Sequence, residues 1–231
     1  MSDKLDKLIE KDAHNFNDYI KKINDYRNII GNRDVLDSDE IWKVTIGCVN
    51  AFSKIAELCF SYGNFKDNWE YETFYQNLYG PQLIIESKKT KCNYYIGLDL
   101  EGIYLSTDLR FNQNLRYMDD KFWNNLIDLT QFEGFKYSET EFTPDNYRKK
   151  YPDLFKTNKS IVFRIMRKYF FDQITDYDNS DSCSVGEFKI LMGTDYKFDY
   201  VLKKYCLAFK MMYQLNYELW KAGDLKRKAL K

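Results

Sequence analysis

Hydrophobic positions recur along this chain with two different periods, and the changes between them mark its elements. From Leu5 to Ile30 they fall alternately four and three residues apart (Leu5, Ile9, Phe16, Tyr19, Ile23, Tyr26, Ile30), with Asp12 interrupting the series. That spacing predicts a helix over residues 3–30 with one narrow apolar seam. The seam is under four heptads long, so we expect it to dock on its own domain, with a partner-binding arm as the alternative. His14 falls off the seam and should face water. Asp37 and Glu40 form a capping-box pattern before a second helix. That helix carries Ile41, Val44, Cys48, Phe52, Ile55 and Cys59 on one side, with Trp42, Val49, Ala56 and Phe60 beside them. So wide an apolar surface belongs to a central, buried helix, and Gly63-Asn64 ends it. Tyr71, Phe74, Tyr75 and Leu78 predict a shorter helix stopping at Gly80-Pro81.

The period then shortens to two. A turn at Glu101-Gly102 would pair Leu100 with Ile103, Leu98 with Leu105 and Ile96 with Thr107 on one face. The other face would hold Asp99 with Tyr104, Gly97 with Ser106 and Tyr95 with Asp108. One apolar and one polar face is the requirement of a half-buried antiparallel hairpin. Gln82–Lys88 adds a third strand through the turn Lys89-Thr90-Lys91.

Helical spacing returns in the second half. Asp119 or Asp120 caps a helix with Phe122, Trp123, Leu126 and Ile127, and Thr143-Pro144 opens a short one that Tyr151-Pro152 closes. Ile161, Val162, Ile165, Met166 and Tyr169 line another, a polar loop covers 175–184, and Glu187–Met192 reads as a strand. The last helix spans about 197–222, with Lys203, Lys204 and Lys210 excluding a membrane span. The expected fold is α+β: a mainly helical single domain, residues 1–231, with a small antiparallel meander around 82–108.

Composition narrows the chemistry. There is one histidine in 231 residues, so the side chain best suited to proton transfer near neutral pH is almost missing. Tyr (20) and Phe (17) outnumber Gly (10) and Pro (3), a bias toward AT-rich codons that assigns most aromatics to core packing. Five cysteines are scattered without a C-x-x-C pair, which argues against zinc and redox motifs. No signal-length apolar segment starts the chain. We therefore expect a soluble, cytoplasmic protein with reduced thiols and no membrane attachment.

Two short patterns could still carry chemistry. Glu86-Ser87-Lys88 closes an apolar run, and a carboxylate and a lysine two apart on a strand share a face. Metal-dependent nucleases use such an E-x-K core, with an upstream acid completing a Mg²⁺ site. The acids available are Asp67, Glu70 and Glu72, and the predicted helix around them is the wrong element for that role. Asp176, Asp178, Ser180, Ser182, Ser184 and Glu187 take positions one, three, five, seven, nine and twelve of a Ca²⁺ loop, and this stretch resembles an EF-hand loop. It departs at position six, where Asp181 replaces the turn glycine, and at position eight, which is Cys183. The primary expectation is no cofactor, with Mg²⁺ or Ca²⁺ as alternatives.

Charge is more informative than either pattern. The net charge is zero, yet Arg148, Lys149, Lys150, Lys156, Lys159, Arg164, Arg167 and Lys168 face only Asp153 within their own segment. The acidic stretch from Asp172 to Asp199 follows at once. Such segregation suits either internal pairing or an acidic partner. The expected function is a non-catalytic interaction protein of inhibitor, immunity or anti-defence type, gripping another protein or a protein–nucleic acid complex through the basic segment. The alternatives are an E-x-K nuclease and a nucleic-acid binder using 148–168.

Overall fold

A computed structural model describes residues 2–30, 38–74, 80–99, 101–138, 160–174, 184–193 and 195–229. Among them, α1 (Ser2–Asp12), α2 (Phe16–Ile30) and α3 (Ser38–Gly63) precede strands β1 (Trp69–Phe74), β2 (Gln82–Ser87), β3 (Asn93–Leu98) and β4 (Ile103–Arg110). A 3-10 turn (Asn112–Tyr117), α4 (Asp120–Thr130), β5 (Phe135–Ser138), α5 (Ile161–Ile174), β6 (Ser184–Met192) and α6 (Phe198–Ala229) follow. The fold is α+β, with an antiparallel sheet in the order β1-β2-β3-β4-β6-β5. The chain divides into two compact units, residues 1–106 with 190–210, and residues 107–189 with 211–231.

In the first unit the N-terminal seam is buried. Leu5, Ile9, Tyr19, Ile23 and Tyr26 are each 6% exposed or less, and α1 and α2 pack on α3. The predicted continuous helix is interrupted by a 3-10 turn at Ala13–Asn15. The turn follows Asp12, a carboxylate on an otherwise apolar seam. Its Oδ1 accepts hydrogen bonds from Asn15 Nδ2 (2.8 Å) and Tyr19 Oη (3.4 Å). Burial and the Asp12 charge push the Tyr19 hydroxyl up to about 12. Lys203 closes on Asp6 at 2.7 Å and ties α6 to α1.

The helix expected around residues 71–78 is corrected at its start: Trp69–Phe74 form strand β1, and residues 75–79 lie outside the described ones. Trp-Glu-Tyr-Glu alternates with period two, and the inward rings decide the outcome. Trp69 stacks on Phe60 of α3 (4.4 Å, 3°) and meets Phe65, Tyr94 and Phe209 at 5.6–6.0 Å. Phe209 of α6 also packs on Tyr94 (4.8 Å) and Phe60 (5.5 Å). Rings from α3, β1, β3 and α6 thus form one cluster, and Leu83, Ile85, Tyr94 and Ile96 fill the same sheet face with under 1% exposure.

The strand reading of 82–108 holds, with one adjustment. Asp99 N donates to Gly102 O (2.9 Å), and Asp99 Oδ1 accepts from Glu101 N and Gly102 N. The turn therefore closes between Asp99 and Gly102, and Tyr104 lies over Gly97, where any Cβ would fall 2.4 Å from its ring. This slides the pairing by two residues, so both faces keep their expected members. An Asp side chain capping the turn amides outweighs the glycine-based turn expected from sequence.

In the second unit Asp119 caps α4 as expected, accepting from Phe122 N at 3.0 Å, and Phe122, Leu126 and Leu129 are fully buried. β5 has no counterpart in the sequence reading. It is held by Tyr137, whose hydroxyl donates to Val185 O (2.7 Å) and whose ring packs on Phe188 (5.0 Å). Asn216 of α6 is fully buried and spends both ends of its amide on β4, accepting from Arg110 N (3.2 Å) and donating to Thr107 Oγ1 (3.1 Å). Asp37 of the capping box and the Thr143-Pro144 helix lie outside the described residues.

Phe209→Ala should remove the centre of the ring cluster and cost about 3–5 kcal/mol of unfolding free energy in urea denaturation. Trp42→Ala, at a position 45% exposed, should cost well under about 1 kcal/mol. Equal costs for the two would show that the cluster is not the anchor of this unit.

Candidate functional site

The E-x-K residues sit at one edge of the sheet. Antiparallel pairing puts Glu70 directly opposite Glu86 and Glu72 opposite Ile84. Glu70 and Glu72 thus occupy the neighbouring strand, correcting the expectation that they lie on a helix. Opposed like charges would repel, and lysines resolve the conflict. Lys88 Nζ lies 2.5 Å from Glu70 Oε1, and Lys91 Nζ lies 2.9 Å from Glu86 Oε1. The Lys88 ammonium holds the Glu70 carboxyl below its ordinary range, and Glu86 raises Lys91. Glu70, Lys88 and Lys91 side chains are about half exposed or more, and Glu86 is 35% exposed. Asp67 serves the turn, accepting from Ser87 Oγ (2.5 Å), Asn68 N (2.7 Å) and Lys89 N (3.1 Å). Among the described residues no three of His, Cys, Asp and Glu approach closely enough to share a metal ion. The ladder alternates in sign and guards an open strand edge.

Other predicted residues are spread widely. His14 is exposed on the 3-10 turn. Arg164 lies on α5 with its guanidinium 4.6 Å from the centre of the Tyr137 ring. Arg148, Lys149, Lys150, Lys156 and Lys159 lie outside the described residues, as do the side chains of Arg167 and Lys168. So do Asp176, Asp178 and Ser180 of the Ca²⁺-loop pattern. Glu187 is in strand β6, where an EF-hand requires the start of a helix. Cys48, Cys59, Cys92 and Cys206 are buried free thiols. Burial pushes Cys48 up to about 12 and raises Cys59, with the adjoining Cys206 adding to it. Thiols held protonated are poor nucleophiles.

Two features escaped the sequence reading. Asp108 on β4 is mostly buried, and burial, reinforced by the Glu187 charge and opposed by Arg110, raises its carboxyl to about 6. The only sequence signal was a charge placed midway along an otherwise well-buried strand. The second is a recess of about 100 Å³ in the first unit. Ile20, Ile23 and Asn24 of α2 form one wall, and Ile103 and Gly193 another. Tyr196 at the mouth and Phe198 and Val201 of α6 complete it. No such gap is legible in a hydrophobic pattern, because it depends on how neighbouring side chains meet.

No protein-family model matches this chain, and neither a curated protein nor a solved structure matches it.

Asp108 yields a signed pH prediction. The folded protein binds its proton more tightly than the unfolded chain, so its contribution is intact below about pH 4 and lost as pH rises through about 6. Asp108→Asn should therefore raise unfolding free energy at pH 7.5 by up to about 3 kcal/mol, with the gain vanishing near pH 4. A variant that is destabilised at pH 7.5, or whose gain is independent of pH, would contradict this assignment.

Proposed function

We propose that this protein acts by gripping another macromolecule and makes or breaks no bonds. The observation that carries this reading is the sheet-edge ladder. Its two closest acids, Glu70 and Glu86, are each matched to a lysine on an open surface, so neither offers a free ligand set for a metal. Further support comes from the exposed lone histidine and the burial of the four described thiols. Trp42, Tyr71 and Tyr196 are large aromatics 37–47% exposed, of the residue types that dominate binding hot spots. The basic run Arg148–Lys168 supplies the charge to steer an acidic partner. The partner is another protein or a protein–nucleic acid complex, met in the cytoplasm, and the task is of inhibitor, immunity or anti-defence type.

A divalent-metal nuclease is the second reading. It is favoured by one observation, Glu70 standing opposite Glu86 on the neighbouring strand with Lys88 beside them. It requires both lysine pairs to open and a further oxygen ligand to arrive.

The two readings part in one experiment. Purified protein incubated with DNA or RNA and Mg²⁺ or Mn²⁺ should leave the nucleic acid intact. Affinity capture from the native host at low salt should recover a stoichiometric partner. Replacing Arg148, Lys149 and Lys150 with Glu should weaken that complex at least tenfold without changing the circular dichroism spectrum. Cleavage abolished by Glu86→Ala would install the nuclease reading instead.

A further inference from the structure

We propose that the outer edge of β1 is a docking edge that takes one extended strand of the protein partner, an apolar residue flanked by two basic ones. This rests on the recognition reading above and gives it a place. β1 is the outermost strand of the sheet, beside β2. The phase of its hydrogen bonds is set by Lys88 N, which donates to Asn68 O at 2.9 Å. Bonded and non-bonded pairs alternate along an antiparallel ladder. Glu70, opposite Glu86, and Glu72, opposite Ile84, therefore spend their main-chain groups on β2. Trp69, Tyr71 and Thr73 turn theirs outward. Among the described residues nothing bonds the main chain of Tyr71. A row of outward N–H and C=O groups at this spacing matches one shape of guest, an extended peptide.

The side chains choose among extended peptides. Trp69 and Tyr71 share the face toward α3, where Tyr71 meets Phe60 at 6.2 Å and keeps 47% of its surface open. An apolar side chain opposite Tyr71 would cover that ring. Glu70 and Glu72 are exposed on the other face. Lys88, in the turn after β2, holds Glu70 from behind. Glu72 has no ion pair or side-chain hydrogen bond among the described residues, so its charge is open to a guest. A second copy of this chain is a poor guest. Two β1 edges paired about a twofold axis through Tyr71 would set Glu70 of each against Glu72 of the other, and like charges directly opposite repel. Basic residues at those two places turn both repulsions into attractions.

The test uses the full chain and a seven-residue peptide of alternating valine and lysine, blocked at both ends. Amide-resolved NMR should show saturable shifts at Trp69, Tyr71 and Thr73, and the Tyr71 amide should exchange with solvent more slowly once the peptide is bound. Replacing the lysines with glutamate should weaken binding about tenfold, because two cross-strand attractions become repulsions. N-methylation of one alternate set of peptide residues should abolish binding, and of the other set should leave it intact, since only one set faces β1. Glu72→Lys, at an exposed position that does not threaten folding, should erase the preference for the lysine peptide. The proposal is overturned if the lysine and glutamate peptides bind the native chain alike, or if neither moves the Tyr71 amide. It is also overturned if N-methylation of either set leaves binding unchanged, or if the lysine preference survives Glu72→Lys. Capture of the native partner with undiminished affinity by Glu72→Lys would likewise overturn the docking edge, while leaving the recognition reading standing.

Discussion

The stacking of Trp69 on Phe60, with Phe209 and Tyr94 closing around it, is the contact on which this architecture turns. Large rings bury much area and fix geometry, because edge and offset contacts are directional. Here the directionality has a topological result. A six-residue segment able to continue as helix is instead pinned against α3 as an edge strand, and everything on its other face follows. Glu70 and Glu72 then point away from the rings, Glu70 meets Glu86 across the ladder, and the lysines of the following turn neutralise both. The surface chemistry of the edge is thus set from the core beneath it.

That chain of cause explains which parts of the fold were legible in sequence. Long, strongly periodic segments were: α3, the strands of 82–108 and their two faces, and α5 stand where the spacing put them, while β6 begins three residues earlier, at Ser184, and the last helix runs on to Ala229. So did local devices, such as Asp119 over the first turn of α4 and Asn64, in the left-handed region at φ 49°, after the end of α3. The failures share a cause. β1 is too short for a period to decide it, and the vote was cast by residues on α3 and α6, far away in sequence. The 3-10 turn falls just after Asp12, whose carboxylate is bonded to Asn15 and Tyr19. The hairpin slid by two residues because the Asp99 side chain took the turn amides. In each case a side chain found a partner that a one-dimensional pattern does not contain.

The candidate chemistry was legible in the same uneven way. The E-x-K motif was visible, and two of its upstream acids, Glu70 and Glu72, were assigned to a helix where the structure has a strand. Correcting the element brings the acids together, and the same register brings the lysines that neutralise them. Asp108 was placed on the polar face of the hairpin, and its burial, like the recess, was invisible because burial and unfilled volume belong to the packing alone. The four described thiols fill space in the core as small apolar groups do.

The central claim is that the sheet-edge carboxylates are spent on lysines and hold a surface rather than a metal. Carbon-detected NMR of the Glu side-chain carboxyls, titrated over pH with and without Mg²⁺, reads it most directly. The account predicts that Glu70 ionises below the ordinary glutamate range, as Lys88 requires, and that neither Glu70 nor Glu86 shifts on adding Mg²⁺. Saturable Mg²⁺-dependent shifts at both carboxyls, displacing the lysines, would contradict it.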